Sequence, residues 1–161
     1  MNMLIRRAEG KESNILTSIS FAAKRYWKYP EEYFDIWKDE LTITEEYINE
    51  NEVYVADVDD KAIGFISIVE VKNDFQAGEL LIRKGFWLDH IFVHPSFIGR
   101  RIGSELIFFA RGLCRERNIG FLHILSDPNA KGFYESINAQ YIEEVPSNIK
   151  GRNVSLFKLP I

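Results

Sequence analysis

The stretch that decides the fold is Leu88 to Ser104, LDHIFVHPSFIGRRIGS. Its first half is rich in apolar, β-branched and aromatic residues, so it reads as a strand over Phe86–Val93, ended by Pro95. A short loop follows with Gly99 and Gly103, and a helix is predicted over Gly103–Arg117. Leu106, Phe109, Ala110 and Leu113 line one face of that helix. Between the glycines stand Arg100 and Arg101. The first N–H groups of a helix lack acceptors and carry partial positive charge, so such a junction binds anionic oxygens. Glycine lets backbone approach a ligand closely, and two guanidinium groups add charge and forked donors.

Outward from this junction, a short first strand is predicted over Leu4–Ala8 and a helix over Lys11–Lys24. A second helix begins at Pro30 and runs to about Leu41, with Glu31 and Glu32 at its positive end. Thr44, Tyr47 and Ile48 add one helical turn. Val53–Val58 and Ala62–Val71 form a hairpin around Asp59-Asp60-Lys61, and Asn73–Gly78 reads as a loop. Downstream come a strand over Phe121–Leu125, a helix over Pro128–Ile137, and strands over Ala139–Val145 and Asn153–Leu159. The order β α α β β β α β α β β predicts an α/β or α+β fold on a mixed sheet, not a doubly wound one.

The window Ile98-Gly99-Arg100-Arg101-Ile102-Gly103 resembles the (Q/R)-x-x-G-x-(G/A) signature of the GNAT family of acyl-coenzyme A-dependent N-acyltransferases. Two positions depart from it: Ile98 stands where Gln or Arg is usual, and Arg101 where the middle Gly is usual. Asp127 to Glu135, DPNAKGFYE, resembles the family's N-x-x-A-x-x-x-Y segment in compressed form. Asn138-Ala139 fills the place of a Gly-containing dipeptide before the next strand. The resemblance covers nearly the whole chain and is strongest over 86–145.

What it implies is a GNAT-like fold: a central, mixed, mostly antiparallel sheet flanked by helices, whose central strands splay apart. It implies acetyl-CoA as co-substrate and no metal. It assigns the backbone of Ile91, Phe92 and Val93 to the pantetheine arm. Gly99, Arg100, Arg101, Ile102, Gly103 and Ser104 then hold the pyrophosphate, and Asn129 contacts the cofactor arm. Arg101 is expected to point outward to the cofactor's 3′-phosphate. The activity implied is direct transfer of an acetyl group to a primary amine, on a small cationic molecule. A protein or peptide acceptor, and a non-catalytic acyl-CoA sensor, are the competing readings.

Tyr134 is the expected general acid, since a phenol with pKa about 10 can protonate a thiolate whose thiol has pKa about 8.5. An alkyl amine is only about 1 part in 1000 neutral near pH 7.4, so a base must take its proton. Asp89 is placed ahead of His90 for that role. The two are neighbours on a strand and face opposite ways. His123 is expected to be structural. Tyr26, Trp27 and Tyr29 precede Pro30 as an aromatic cluster suited to a cationic acceptor.

Composition narrows the rest. The chain has 161 residues, 46% of them hydrophobic and 27% charged, which suits one domain over 1–161 and excludes a disordered or collagenous chain. Its one cysteine, Cys114, permits no intrachain disulfide and no multi-thiolate metal site. It is expected to pack rather than react. The N-terminal residues lack the apolar core of a signal peptide, and no run is long enough to span a bilayer, so a cytoplasmic protein without membrane partners is expected. Between Glu31 and Asp60 stand 12 acidic residues and one basic residue, Lys38, in a chain whose net charge is −4. Such a segment attracts cations and repels phosphates. The overall acidity argues against nucleic acid as partner. The hairpin over Ala139–Leu159 offers an edge for a homodimer.

Overall fold

Strand alternation and helical stripes translate directly into the elements of the computed structural model, which describes residues 2–161. In chain order these are β1 (Met3–Arg7), α1 (Ser13–Arg25), α2 (Glu31–Leu41), α3 (Glu45–Glu50), β2 (Glu52–Val58) and β3 (Lys61–Val71). Then follow β4 (Phe75–Ala77), β5 (Leu80–Ile82), β6 (Gly85–Val93), α4 (Ile102–Glu116), β7 (Phe121–Ser126), α5 (Lys131–Ser136), β8 (Gln140–Pro146) and β9 (Asn153–Pro160). Seven strands form one sheet in the order β1-β2-β3-β6-β7-β9-β8. The pair β6–β7 is parallel, whereas β1–β2, β2–β3, β7–β9 and β8–β9 are antiparallel. The expected mixed, mostly antiparallel sheet is therefore present. The expected loop over 73–78 is corrected: β4 and β5 form a separate two-stranded hairpin there. Strands of three residues are too short to show a period of two.

The chain divides into two compact units. The first comprises residues 1–68 and 90–110. Its core joins Leu16 and Ile19 of α1, Ile48 of α3, Val53 and Val55 of β2 and Phe65 of β3, with Tyr47 and Phe92 packed against it. Truncating a buried ring such as Phe65 to alanine costs about 3–5 kcal/mol. Thr44 caps α3, its hydroxyl accepting from the Tyr47 N–H at 3.0 Å. Gly64 lets β3 approach β6: a Cβ there would stand 2.9 Å from the Phe92 carbonyl oxygen. The buried stripe of α4 runs through Ile102, Leu106, Ile107 and Ala110. It is rotated from the expected one, and Phe109 turns instead to meet Tyr54, with ring centroids 4.8 Å apart.

The second unit comprises residues 69–89 and 111–161. In β7 the residues Leu122, Ile124 and Ser126 are buried, while Phe121, His123 and Leu125 between them stay half-buried. β9 lies between β7 and β8, which puts β8 on the sheet edge with Gln140–Glu144 exposed. Within this unit β6 pairs with β7 at Trp87↔His123 and Leu88↔Ile124.

Candidate active site

In the first unit, β6 ends at Val93 and the chain turns through a short 3-10 segment, Pro95–Phe97. The His94 ring caps that turn, accepting from the Ser96 N–H at 3.1 Å. Gly99 follows at φ +84°, with nothing within 4 Å of where a Cβ would stand. Arg101 takes the left-handed conformation too, at φ +59°. A non-glycine residue pays about 1–2 kcal/mol for that. α4 then starts at Ile102, and helix geometry leaves the N–H groups of Ile102, Gly103 and Ser104 without an intrahelical acceptor. Gly99, Arg100, Arg101 and Ser104 are exposed. Arg100 lies over the Phe97 ring, 5.3 Å from its centroid. The result is a run of backbone N–H donors at a helix start with two guanidinium groups beside it, which fits a diphosphate. Ile91, Phe92 and Val93 are half-buried at the end of β6.

His90 is buried in the same unit. Its N–H donates to the Ser67 hydroxyl at 3.1 Å. Its ring stacks on Phe92 at 5.5 Å and meets Tyr47 at 5.9 Å. Asp89, its neighbour, is exposed. Of the two candidates for base, the aspartate is the one open to solvent.

The aromatic cluster also lies in the first unit, where Tyr29 and the neighbouring rings of Trp37 and Phe34 already face cations of the chain. Lys24 Nζ stands 4.4 Å from the Trp37 centroid and 5.7 Å from that of Tyr29. Arg25 lies 4.3 Å from the Phe34 centroid. Tyr26 and Trp27 pack edge to face at 5.0 Å and remain about half exposed.

In the second unit, Tyr134 sits on α5 with its ring buried against Phe133 and Phe157. Among the described residues its hydroxyl makes no hydrogen bond. Burial, and secondly the charge of Asp127, raise its pKa well above the ordinary phenol value, so it is protonated at neutral pH. Asp127 shapes the turn before α5: its carboxylate accepts from the Asn129 N–H at 2.8 Å. Asn129 itself is exposed. Cys114 is buried, which pushes its thiol up to about 11. A thiol held protonated is no nucleophile, in keeping with the packing role expected for it.

A family model described as "Acetyltransferase (GNAT) family" matches residues 20–138. The chain belongs to the GNAT acetyltransferase family. Its fold is similar to that of a GCN5-related N-acetyltransferase from Rhodopseudomonas palustris, with 18% identity, a TM-score of 0.76, and 100% of this chain and 99% of that one covered. It is also similar to the PaiA N-acetyltransferase from Thermoplasma acidophilum solved with coenzyme A, with 16% identity, a TM-score of 0.71, and 100% of each chain covered. The chain matches no curated protein sequence. This GNAT protein is thus an acyltransferase, and its family uses acetyl-CoA. The N–H run at Gly99–Ser104 fits the anionic end of that cofactor. Among the described residues no helix is long and apolar enough to cross a membrane.

Two features of this GNAT chain escaped the sequence reading. One is the ion pair between Asp127 and Arg152, 3.6 Å apart. No local pattern links residues so far apart. The other is the pairing of Trp87 with His123, whose rings lie 4.6 Å apart. The period-two alternation of β7 was the available signal, since it puts His123 on the opposite face from the apolar Leu122 and Ile124.

Proposed function

We propose that this protein acetylates a small primary amine by direct attack within a ternary complex. The carrying observation is the left-handed Gly99–Arg101 turn opening onto α4, in a chain of this family. Residues 20–138 run through both compact units, which supports reading 1–161 as one acetyltransferase domain. Acetyl-CoA, when bound, supplies the acetyl group, the new C–N bond forming as the C–S bond breaks. Gly99, Arg100, Arg101, Ile102, Gly103 and Ser104 bind its pyrophosphate through backbone N–H groups and guanidinium charge. The backbone of Ile91, Phe92 and Val93 pairs with the pantetheine, as an added strand would. Asn129 orients the same arm.

Asp89 accepts the proton that the amine must lose. Its exposure supports this role, since it is open to solvent and to a water relay. Tyr134 gives its phenolic proton to the departing sulfur, and its raised pKa supports a group that starts protonated. Tyr26 and Trp27 keep half-exposed faces for the acceptor, whereas Tyr29 packs against Tyr33 and Trp37. The acetyl group passes directly to the amine, and Cys114 forms no covalent adduct with it.

The test is release of free thiol from acetyl-CoA across a panel of primary amines and peptides. Amine-dependent release with small amines is the expected result. Release with peptides alone would transfer the assignment to a protein acetyltransferase. Binding of acetyl-CoA with no release would make the chain an acyl-CoA sensor.

A further inference from the structure

The second unit contains a cleft of about 720 Å³ roofed by the β4–β5 hairpin and floored by the sheet. On β7 the half-buried side chains Phe121, His123 and Leu125 face it, whereas the residues between them are buried. The sheet there is apolar yet left partly open, which is the character of a ligand pocket rather than of a packed interior.

The floor is aromatic, neutral and held in place. The Trp87 and His123 rings lie 4.6 Å apart at 31°. Trp87 Nε1 donates to the Arg83 carbonyl at 2.8 Å. His123 is hydrogen-bonded to the backbone of Lys84, and its burial favours the neutral imidazole. Leu125, Val145 and Leu156 add apolar wall. By contrast, the charges at the rim cancel. Asp74, Glu79 and Glu143 are matched by Arg83, Lys84 and Lys158. Arg83 lies 3.9 Å from Asp74, and Lys158 lies over the Phe121 ring at 4.2 Å. Such a rim gives no net field to select a polycation, so the floor does the selecting.

The same strand supplies a direction. Asp89 stands two residues beyond Trp87 on β6, and between them Leu88 is buried while Asp89 is exposed. Strand alternation puts Trp87 and Asp89 on one face, about 7 Å apart along the strand. A short alkyl tether between a ring and an amino group spans that distance.

We propose that this cleft takes the ring of an arylalkylamine and holds its amino group toward Asp89. The proposal rests on the acetyltransferase reading for the fate of the amine, but not for its binding. Two measurements separate them. In the first, 2-phenylethylamine is titrated into the protein without acetyl-CoA by calorimetry, with the variants Leu125→Phe and Leu156→Phe alongside. Each variant fills the cleft from a half-buried position, and its fold is checked by circular dichroism. In the second, thiol release is compared for 2-phenylethylamine, n-butylamine and 1,4-diaminobutane.

Saturable binding is expected, weakened about tenfold or more by either filled cleft. KM for 2-phenylethylamine is expected to be about tenfold below that of the two aliphatic amines. Equal KM values for the three amines would overturn the assignment, as would binding that a folded, filled variant leaves unchanged. No thiol release with any amine, alongside binding that the variants weaken, would end the transferase reading and leave the cleft assignment standing.

Discussion

The guanidinium of Arg152 lies 3.6 Å from the carboxylate of Asp127, and both side chains are mostly buried. This pair ties the start of β9 to the turn that leads into α5. The same Asp127 carboxylate caps Asn129 and raises the pKa of Tyr134. One side chain thus shapes the turn and adds to the upward shift that burial gives the phenol. Arg152→Gln removes the counter-charge of a mostly buried carboxylate, at a cost of about 1–3 kcal/mol. Asp127→Asn keeps the cap, because asparagine caps as well as aspartate, and removes the buried negative charge. It is expected to cost less than Arg152→Gln. Urea unfolding of the two variants decides this, and equal losses would contradict it.

Tyr134→Phe tests the proposed proton donor. The ring stays against Phe133 and Phe157, so stability should change little. Loss of a general acid should lower kcat about 10²- to 10⁴-fold and leave KM for acetyl-CoA unaltered. A variant retaining more than half of the wild-type kcat would remove Tyr134 from the chemistry.

The loop before α4 sets stability against affinity. Arg101→Gly relieves a left-handed residue at φ +59° and should raise stability by up to about 1 kcal/mol. The same change removes a charge beside the proposed phosphate site and should weaken acetyl-CoA binding several-fold. Gly99→Ala has room for its Cβ but not the right backbone, at φ +84°, and should cost about 1 kcal/mol. Thermal melts and calorimetry on both variants read the two effects separately. Tighter acetyl-CoA binding by Arg101→Gly would refute the phosphate role.

His123 makes stability depend on pH. Burial lowers its folded pKa below the ordinary 6.5, so the unfolded chain binds the proton more readily. Its contribution is complete above about pH 6.5 and is lost as pH falls through the folded value. His123→Asn should flatten the decline in urea midpoint between about pH 7.5 and about pH 5.5. An unchanged decline would show that the imidazole is equally solvated in both states.

Much of the fold is legible from local spacing. The alternation in 53–58 and 62–71, the proline at position 30 and the stretch from Leu88 to Ser104 each specify an element through neighbours a few residues away. The phosphate-binding turn is legible for the same reason, since glycine and helix start lie within one short window. The 75–82 hairpin was missed because its strands are short, and their pairing is fixed by contacts rather than by pattern. The rotated stripe of α4 has a similar origin. Two apolar faces overlap on that helix, and only packing chooses between them.

For the acceptor side, the sequence determined which aromatic and charged residues are present and on which strand each lies. Tertiary structure decided which of them are available. It set Lys24 over Trp37 and Arg25 over Phe34, so those rings are satisfied within the chain. It also brought Trp87 to His123 under a hairpin and left that surface open. The reason is physical: backbone periodicity is local and can be read along the chain. Burial, ring occupancy and the matching of charges depend on residues far apart in sequence, and they take a value only once the strands have paired.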